Sequence, residues 1–191
     1  VVDFVNKNGA GLVIGNEAGG MPPAFSAGGD LKFMLAMAKK GDFKGINDFI
    51  ADVHTGMKMM KYSSFPVIAA PFGLALGGGC ETCLWADKIV AHNELYMALV
   101  EVGAGLVPAG GGCVNMWRRL NESSVVPHTD LLAVFLQAFK TIAMPMPSGS
   151  AQEARLKGFL RPQDKIVFNR DYLIGDAKKE VLRMAEDGYV P

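Results

Sequence analysis

The sequence has no excess of charge of either sign. Its 19 basic side chains are balanced by 19 acidic ones, so the formal net charge at neutral pH is zero. A balanced chain gives no electrostatic reason to bind nucleic acid or an anionic membrane surface, because both attract a basic protein surface. We therefore expect no nucleic-acid partner and no membrane partner.

Long apolar runs and targeting signals are also lacking. The most apolar stretch, residues 67–80, is interrupted by Pro71 and four glycines, whereas a bilayer span needs roughly 20 apolar residues. The first residues do not combine a basic start with an apolar block, so no secretory signal peptide is predicted. The chain begins with Val1 instead of methionine, and we expect it to be a piece of a longer protein.

Cysteine is scarce, with three in 191 residues. Three cysteines do not make the disulfide framework of a secreted domain, so a reducing cytoplasm is the expected location. Cys80 and Cys83 have the spacing of a redox pair or of half a zinc site. The other possible zinc ligands are scattered along the chain: Cys113, His54, His92 and His128. We predict no metal site, and we favour two small buried thiols over a redox pair.

No nucleotide-binding signature is present. Gly9-Ala10-Gly11 is followed by a glycine at position 15 instead of position 14, so the dinucleotide fingerprint is not met. The sequence also has no P-loop and no G-x-S-x-G nucleophile motif.

What the sequence does contain is an alternation of short apolar runs and helical patterns. Half of its residues are hydrophobic and a fifth are charged, which is typical of one globular domain. Strands are predicted over residues 11–14, 66–70, 88–91 and 96–100, and the first of them is expected to be buried. Helices are predicted over residues 31–40, 43–60, 80–86, 131–142, 150–157 and 171–187. This alternation indicates an α/β fold, with mostly helices after residue 114.

Three glycine-rich segments carry the polar groups of a potential reaction centre: residues 25–31, 73–81 and 100–108. The first two can each expose a backbone N–H, and Glu81 and Glu101 lie in the second and third. Such donors beside two carboxylates could stabilise an oxyanion while a proton is added or removed. The glycines could equally form tight turns, and Glu81 could be a helix-start charge. Glu101 lies between Val100 and Val102, which predicts a buried carboxyl with a raised pKa.

In their order and spacing, these segments resemble the crotonase, or enoyl-CoA hydratase, superfamily. The segment Phe25-Ser26-Ala27-Gly28-Gly29-Asp30-Leu31 is similar to the family's first oxyanion-hole segment, and residues 73–81 are similar to the second. The resemblance covers residues 11 to about 120 and resumes over 150–168. In detail the chain is most similar to the hydratase part of bifunctional enoyl-CoA hydratase/3-hydroxyacyl-CoA dehydrogenase proteins.

This resemblance implies an architecture and partners. The fold would be a crotonase-type β-β-α spiral with a helical C-terminal region. Residues 1–120 would form the crotonase core, with the family's N-terminal strands missing, and residues 121–191 would form the helical region that serves trimerisation. A dehydrogenase domain would be fused on the N-terminal side. No role is assigned to residues 121–148.

The resemblance also implies roles for individual residues. The backbone N–H groups of Gly29 and Gly78 would form the oxyanion hole, and Glu81 and Glu101 would be the catalytic residues, because true hydratases have both glutamates. The further predicted substrate contacts are Ala27, Asp30, Leu31 and Gly77. The substrate would be a coenzyme A thioester, with no covalently bound cofactor and no metal.

The implied reaction is the syn addition of water to a trans-2-enoyl-CoA in fatty-acid β-oxidation. Two alternatives stay open from the sequence. One is an enoyl-CoA isomerase on the same fold, and the other is a non-catalytic assembly domain that serves a fused dehydrogenase.

Overall fold

The computed structural model describes residues 1–17, 19–124, 126 and 129–191. The helices are α1 (Val2–Asn8), α2 (Leu31–Lys39), α3 (Phe43–Lys61), α4 (Gly78–Trp85), α5 (Gly112–Ser124), α6 (Leu131–Ala143), α7 (Ala151–Leu156) and α8 (Leu173–Glu186). The strands are β1 (Leu12–Ile14), β2 (Ala24–Ser26), β3 (Val67–Ala69), β4 (Gly73–Leu76), β5 (Lys88–His92), β6 (Leu95–Ala98) and β7 (Lys165–Val167). Short 3-10 helices cover Glu101–Ala104 and Arg170–Tyr172.

The strands form two parallel sheets that the chain visits in alternation. The odd-numbered strands form the first sheet in the order β1-β3-β5-β7, and the even-numbered strands form the second in the order β2-β4-β6. Val13 lies opposite Ile68 in the first sheet, and Leu74 lies opposite Tyr96 in the second. Successive β-β-α units therefore add one strand to each sheet. The predicted α/β fold of the β-β-α spiral type is confirmed.

The central strands of the first sheet carry apolar side chains on both of their faces, and both faces are buried. Ile68 of β3 belongs to the same buried cluster as Leu173 and Val181 of α8. The next residue, Ala69, belongs to the larger cluster that includes Met97 of the second sheet. Successive side chains of a strand point to opposite faces, so a slip of one residue would exchange these two environments.

Helices α2 and α3 have nearly their predicted bounds. Asp30 caps α2, since its Oδ1 accepts the N–H groups of Lys32 (2.9 Å) and Phe33 (3.1 Å). Phe33 packs edge-on against Phe49 of α3, with 5.8 Å between the ring centroids. Neither helix contains a buried residue, and both are fully described. The pair therefore packs on the protein surface.

Some predicted elements differ from those in the structure. The prediction that the strand over 11–14 is buried is wrong, because β1 is an edge strand and its residues are half-buried. Strand β6 ends at Ala98, two residues before the predicted end at residue 100, because a 3-10 helix begins at Glu101. Helix α4 begins at Gly78, two residues before its predicted start. The elements that were not predicted are α1, β2, β4, the 3-10 helix over Glu101–Ala104, α5 and β7.

The C-terminal region is mostly helical, as predicted, and it also completes the first sheet. Strand β7 pairs with β5, and Val167 lies opposite His92. Ser150 caps α7 by accepting the N–H of Glu153 at 3.1 Å. The division of the chain at residue 120 and a role of residues 121–191 in trimerisation stay predictions.

Candidate active site

The predicted site residues lie where the strands of the second sheet end. Gly29 follows β2, Gly78 follows β4 and Glu101 follows β6. These strands are parallel neighbours with β4 in the middle, so their carboxyl ends meet at one edge of the sheet. In open α/β sheets, ligands bind outside the carboxyl ends of the strands. The topology therefore gathers three segments that are far apart in the sequence.

The first two glycine-rich segments meet in close backbone contact. A methyl carbon built on Gly28 would lie 3.0 Å from the carbonyl oxygen of Leu76 and 3.2 Å from the amide nitrogen of Gly78. Gly28 also has a φ of +97°, in the region that favours glycine. The hydroxyl oxygen of Ser26 accepts its N–H at 3.2 Å. Glycine at position 28 is thus what allows the two segments to approach.

Gly29 and Gly78 each present a backbone N–H beside this contact. In the described part of the chain, neither N–H donates to a protein acceptor. A carbon built on Gly78 would lie 3.7 Å from the amide nitrogen of Gly29, so the two peptide groups are neighbours. Gly78 is the first residue of α4, where the positive end of the helix dipole favours negative charge. Two such donors can stabilise an oxyanion.

Glu81 is buried in the first turn of α4. Glu81 is 5% exposed, and its Oε1 accepts the N–H of Gly112 at 2.8 Å. The backbone of Gly110 also lies against this carboxylate, because a carbon built on Gly110 would collide with Oε2. Burial raises the pKa of Glu81, while the backbone N–H groups of Gly112 and Gly110 and the charge of His54 act in the opposite direction and offset only part of the rise. A carboxyl of this kind is suited to general acid–base catalysis.

Glu101 is the first residue of the 3-10 helix that follows β6. Its Oε2 is buried and has no hydrogen-bond partner among the described residues. Burial is the largest influence on the pKa of Glu101 and raises it, and the charge of Glu81 raises it further. The backbone N–H groups of Glu101 and Val100 lower this pKa. The net shift is upward, so the raised pKa predicted from the sequence is confirmed. The two carboxyl groups are close enough for one charge to affect the other.

Gly77 connects the donor segment to Glu101. A carbon built on Gly77 would lie 3.3 Å from Oε1 of Glu101, and the residue has a φ of +52°. Its N–H donates to the carbonyl of Ala98 at 2.9 Å, which ties the end of β4 to the end of β6. Gly77, predicted as a substrate contact, therefore lies between the N–H of Gly78 and the Glu101 carboxyl.

The other predicted substrate contacts lie at the start of α2. Ala27 and Leu31 are exposed, on either side of residues 28–30. Asp30 is also exposed, but its carboxylate already accepts two N–H groups of α2. The side chain of Asp30 thus has a structural role as the helix cap, and a substrate contact of these three residues stays a prediction.

Sequence reasoning missed side chains that hold the loop beside Glu81. Nε2 of His54 in α3 contacts the carbonyl oxygen of Ala109. Nε1 of Trp85 in α4 donates to the carbonyl of Gly110 at 2.7 Å. The glycine run at 110–112 was a visible signal of a tight loop. No spacing in the sequence relates His54 to it, because the two are brought together by the packing of α3.

Cys80 and Cys83 lie in the core, as predicted. Both are fully buried, and neither forms a disulfide. Burial raises the pKa of both thiols, that of Cys83 to about 12. They are therefore protonated near neutral pH, which is the opposite of what a reactive thiolate requires.

No cluster of three or more metal-ligating side chains occurs within the described residues. His128, one of the scattered histidines, lies outside them. In the same part of the chain, no helix combines the length and the apolar character needed to span a membrane.

Comparison with known proteins finds relatives over the whole chain. Residues 9–131 match the family model described as enoyl-CoA hydratase/isomerase. The chain is 39% identical over 194 residues to a Bacillus subtilis (strain 168) protein named "Probable 3-hydroxyacyl-CoA dehydrogenase", an alignment that covers 100% of this chain and 23% of that protein. It is 32% identical over 155 residues to a Rickettsia prowazekii (strain Madrid E) protein with the provisional name of a fatty acid oxidation complex trifunctional enzyme, covering 81% of this chain and 20% of that protein. The chain thus spans 20–23% of the length of these curated relatives.

A solved structure shares the fold. An enoyl-CoA hydratase subunit I from Geobacillus kaustophilus HTA426 superimposes with a TM-score of 0.74 and 25% sequence identity. The match covers 97% of this chain and 62% of that chain. The likeness in sequence and in fold therefore extends over nearly the whole of this chain.

Proposed function

Because this chain belongs to the enoyl-CoA hydratase/isomerase family, we propose that it catalyses the syn addition of water to a trans-2-enoyl-CoA. The observation that carries the proposal is the placement of two carboxyl groups, Glu81 and Glu101, beside the N–H groups of Gly29 and Gly78. Both carboxyls have raised pKa values. Hydration needs two proton movements and one oxyanion, and this set of groups supplies all three.

The proposed oxyanion hole acts on the thioester oxygen. The N–H groups of Gly29 and Gly78 donate to this oxygen when the substrate binds. As water adds to C3, electron density moves through C2 onto the oxygen, and the hydrogen bonds strengthen. One such donor contributes roughly 3–4 kcal/mol to transition-state stabilisation. The backbone contact between Gly28 and Gly78 fixes these donors before the substrate arrives.

The two glutamates move the protons. One carboxylate removes a proton from water as the water oxygen bonds to C3, and the other group, as a carboxylic acid, delivers a proton to C2. The charge of Glu81 raises the pKa of Glu101, so the two groups favour sharing a single proton. The pair ends the reaction with one proton, as it began, while the product has gained one water.

The substrate lies along the carboxyl ends of β2 and β4 in this proposal. Gly77 lines the reaction centre between Gly78 and Glu101, and the exposed Ala27 and Leu31 border the entrance to it. Asp30 contributes by fixing the start of α2. The coenzyme A thioester is the substrate, and the proposed steps need no metal.

The relatives support a larger assembly around this chain. The Bacillus subtilis relative is named as a 3-hydroxyacyl-CoA dehydrogenase, and the proposed hydratase product is a 3-hydroxyacyl-CoA. We therefore propose a fused dehydrogenase that consumes this product in fatty-acid oxidation, in the cytoplasm. Exposed apolar side chains on α6 support a homotrimer or other homo-oligomer, since such faces are commonly covered by a partner: Leu131, Leu132, Phe135, Leu136 and Phe139.

The test is the loss of enoyl absorbance with crotonoyl-CoA and with a longer trans-2-enoyl-CoA. Glu101→Gln should abolish turnover while binding of the CoA ester persists, because glutamine cannot exchange a proton. Glu94→Gln changes an exposed glutamate outside the site and should leave turnover unchanged. Turnover retained in Glu101→Gln contradicts the assigned role.

The same assay separates the alternatives. Conversion of a 3-enoyl-CoA into its 2-enoyl isomer, with no 3-hydroxy product, would identify an isomerase. Normal folding of the full-length protein without any CoA-ester binding would favour a non-catalytic assembly domain.

A further inference from the structure

The loop that donates to Glu81 is itself held from several sides. The N–H of Gly112 donates to the Glu81 carboxylate at 2.8 Å, and the Gly110 backbone lies against the same carboxylate, where its N–H lowers the pKa. The carbonyl of Gly110 accepts the indole N–H of Trp85, which is on the same helix as Glu81. The orientation of this carboxylate therefore depends on where the peptide groups of the loop are fixed.

His54 reaches the same loop from a different helix. Nε2 of His54 in α3 contacts the carbonyl oxygen of Ala109, 55 residues away in the sequence. A carbonyl oxygen only accepts hydrogen bonds, so Nε2 is the protonated nitrogen. Ala109 is joined by one peptide bond to Gly110, so this contact fixes the peptide plane that carries the Gly110 N–H.

Two further observations connect His54 to the site. His54 itself is half-buried, and α3 packs against α4, the helix that carries Glu81. The loop that His54 contacts lies directly against the Glu81 carboxylate, because a carbon built on Gly110 would collide with Oε2. His54 thus joins α3 to the loop beside a candidate catalytic carboxyl.

We propose that His54 is a positioning residue for the hydration step. It holds the Ala109–Gly110 peptide group so that the Gly110 N–H points at Glu81, and it thereby sets the orientation of a carboxyl that moves a proton. This inference rests on the proposed hydratase function. His54 acts through the loop and not on the reacting atoms, so its loss should affect the chemical step more than substrate binding.

A matched pair of substitutions tests the reach of the side chain. His54→Gln places an amide N–H at about the position of Nε2, whereas the amide of His54→Asn is one methylene shorter and does not reach Ala109. Both are neutral and similarly polar. We expect His54→Asn to lower kcat about tenfold or more with KM changed by less than about twofold, because small misplacements of catalytic groups are costly. His54→Gln should retain kcat within about threefold of the wild type.

His92 provides the control position. Its Nε2 lies 3.3 Å from the carbonyl oxygen of Phe168, so it makes the same kind of contact elsewhere in the fold. His92→Asn should leave kcat and KM unchanged. All variants are made in the full-length protein, and circular dichroism gives the folded fraction by which kcat is normalised.

The outcomes separate this inference from the function on which it rests. Equal kcat values for His54→Asn and His54→Gln, whether high or low, would overturn the positioning role, and so would a rise in KM at constant kcat. A wild-type protein that does not hydrate enoyl-CoA, with Glu101→Gln indistinguishable from it, would instead overturn the proposed function.

Discussion

Gly28 and Gly78 approach each other so closely that a side chain on Gly28 would be in tight contact with the Gly78 backbone. The methyl carbon of an alanine at position 28 would lie 3.2 Å from the amide nitrogen of Gly78. This nitrogen belongs to one of the two proposed oxyanion donors. The neighbouring Gly29, which supplies the other donor, has open space where its side chain would be. Two adjacent glycines therefore face opposite constraints.

Substitution of Gly28 should be damaging, whereas substitution of Gly29 should be nearly neutral. Gly28→Ala places a methyl group against backbone atoms at a φ of +97°, and the left-handed conformation alone costs about 1–2 kcal/mol. We expect a lower free energy of unfolding and a large loss of turnover, because the Gly78 N–H is displaced. Gly29→Ala should change the free energy of unfolding by less than about 0.5 kcal/mol and keep turnover. Urea denaturation and the hydration assay measure both, and equal behaviour of the two variants would contradict the assignment.

Glu101→Gln should stabilise the protein at neutral pH. Burial raises the pKa of Glu101 in the folded state, above its unfolded value of about 4.3. Between these two values the folded protein binds more protons than the unfolded one, so wild-type stability falls as the pH rises through this window. Glutamine does not titrate and avoids this loss.

The stability difference between Glu101→Gln and the wild type should therefore grow as the pH rises above about 4.3 and disappear below it. Chemical denaturation at a series of pH values measures this difference. Glu94→Gln, at an exposed position, is the control and should show no comparable pH dependence. If the stability difference between Glu101→Gln and the wild type were no larger at pH 7 than in acid, the Glu101 carboxyl would not be in an unfavourable environment.

Arg119→Met should be strongly destabilising. Arg119 is buried in α5, where it donates to the carbonyls of Leu84 (2.9 Å) and Phe159 (3.0 Å) and lies 3.5 Å from the carboxylate of Asp164. Burial, followed by the charge of Arg161, lowers the pKa of Arg119 to about 10, so it is still protonated at neutral pH. Removing one partner of a buried ion pair costs about 3–5 kcal/mol.

The adjacent residue is a matched control for this change. Arg118 is half-exposed and lies 3.5 Å from Glu122 on the same helix. Pairs of this kind contribute about 0.3–0.5 kcal/mol, so Arg118→Met should shift the urea midpoint only slightly. If the two variants unfolded at the same urea concentration, the buried network around Arg119 would not carry the stability assigned to it.

The sequence predicted elements whose signals are local. The Asp30 cap places the start of α2, and the apolar period of residues 43–60 matches α3 to within a residue. Strands β2 and β4 have three and four residues and overlap the glycine-rich segments 25–31 and 73–81. The composition of these segments indicates turns instead of strands. Helix α1 has only seven residues and no side-chain cap, so it carries little local signal.

The candidate site was predictable in its parts but not in its assembly. The glycines and the two glutamates were visible as motifs, and the apolar neighbours of Glu101 predicted its raised pKa. Their meeting depends on the parallel order of β2, β4 and β6, which joins residues far apart in the sequence. His54 depends in the same way on how α3 packs, and no local pattern in the sequence reports that.

The alternation of the chain between two sheets has a consequence for how this protein can change over evolution. The proposed roles are divided among the ends of three strands: one N–H donor after β2, the other donor with Glu81 after β4, and Glu101 after β6. The buried clusters that stabilise the fold lie mainly in the strands themselves and in the helices that cover them. A substitution at one strand end can therefore remove or replace a single chemical role while the scaffold is inherited intact, so new reactions can arise one loop at a time.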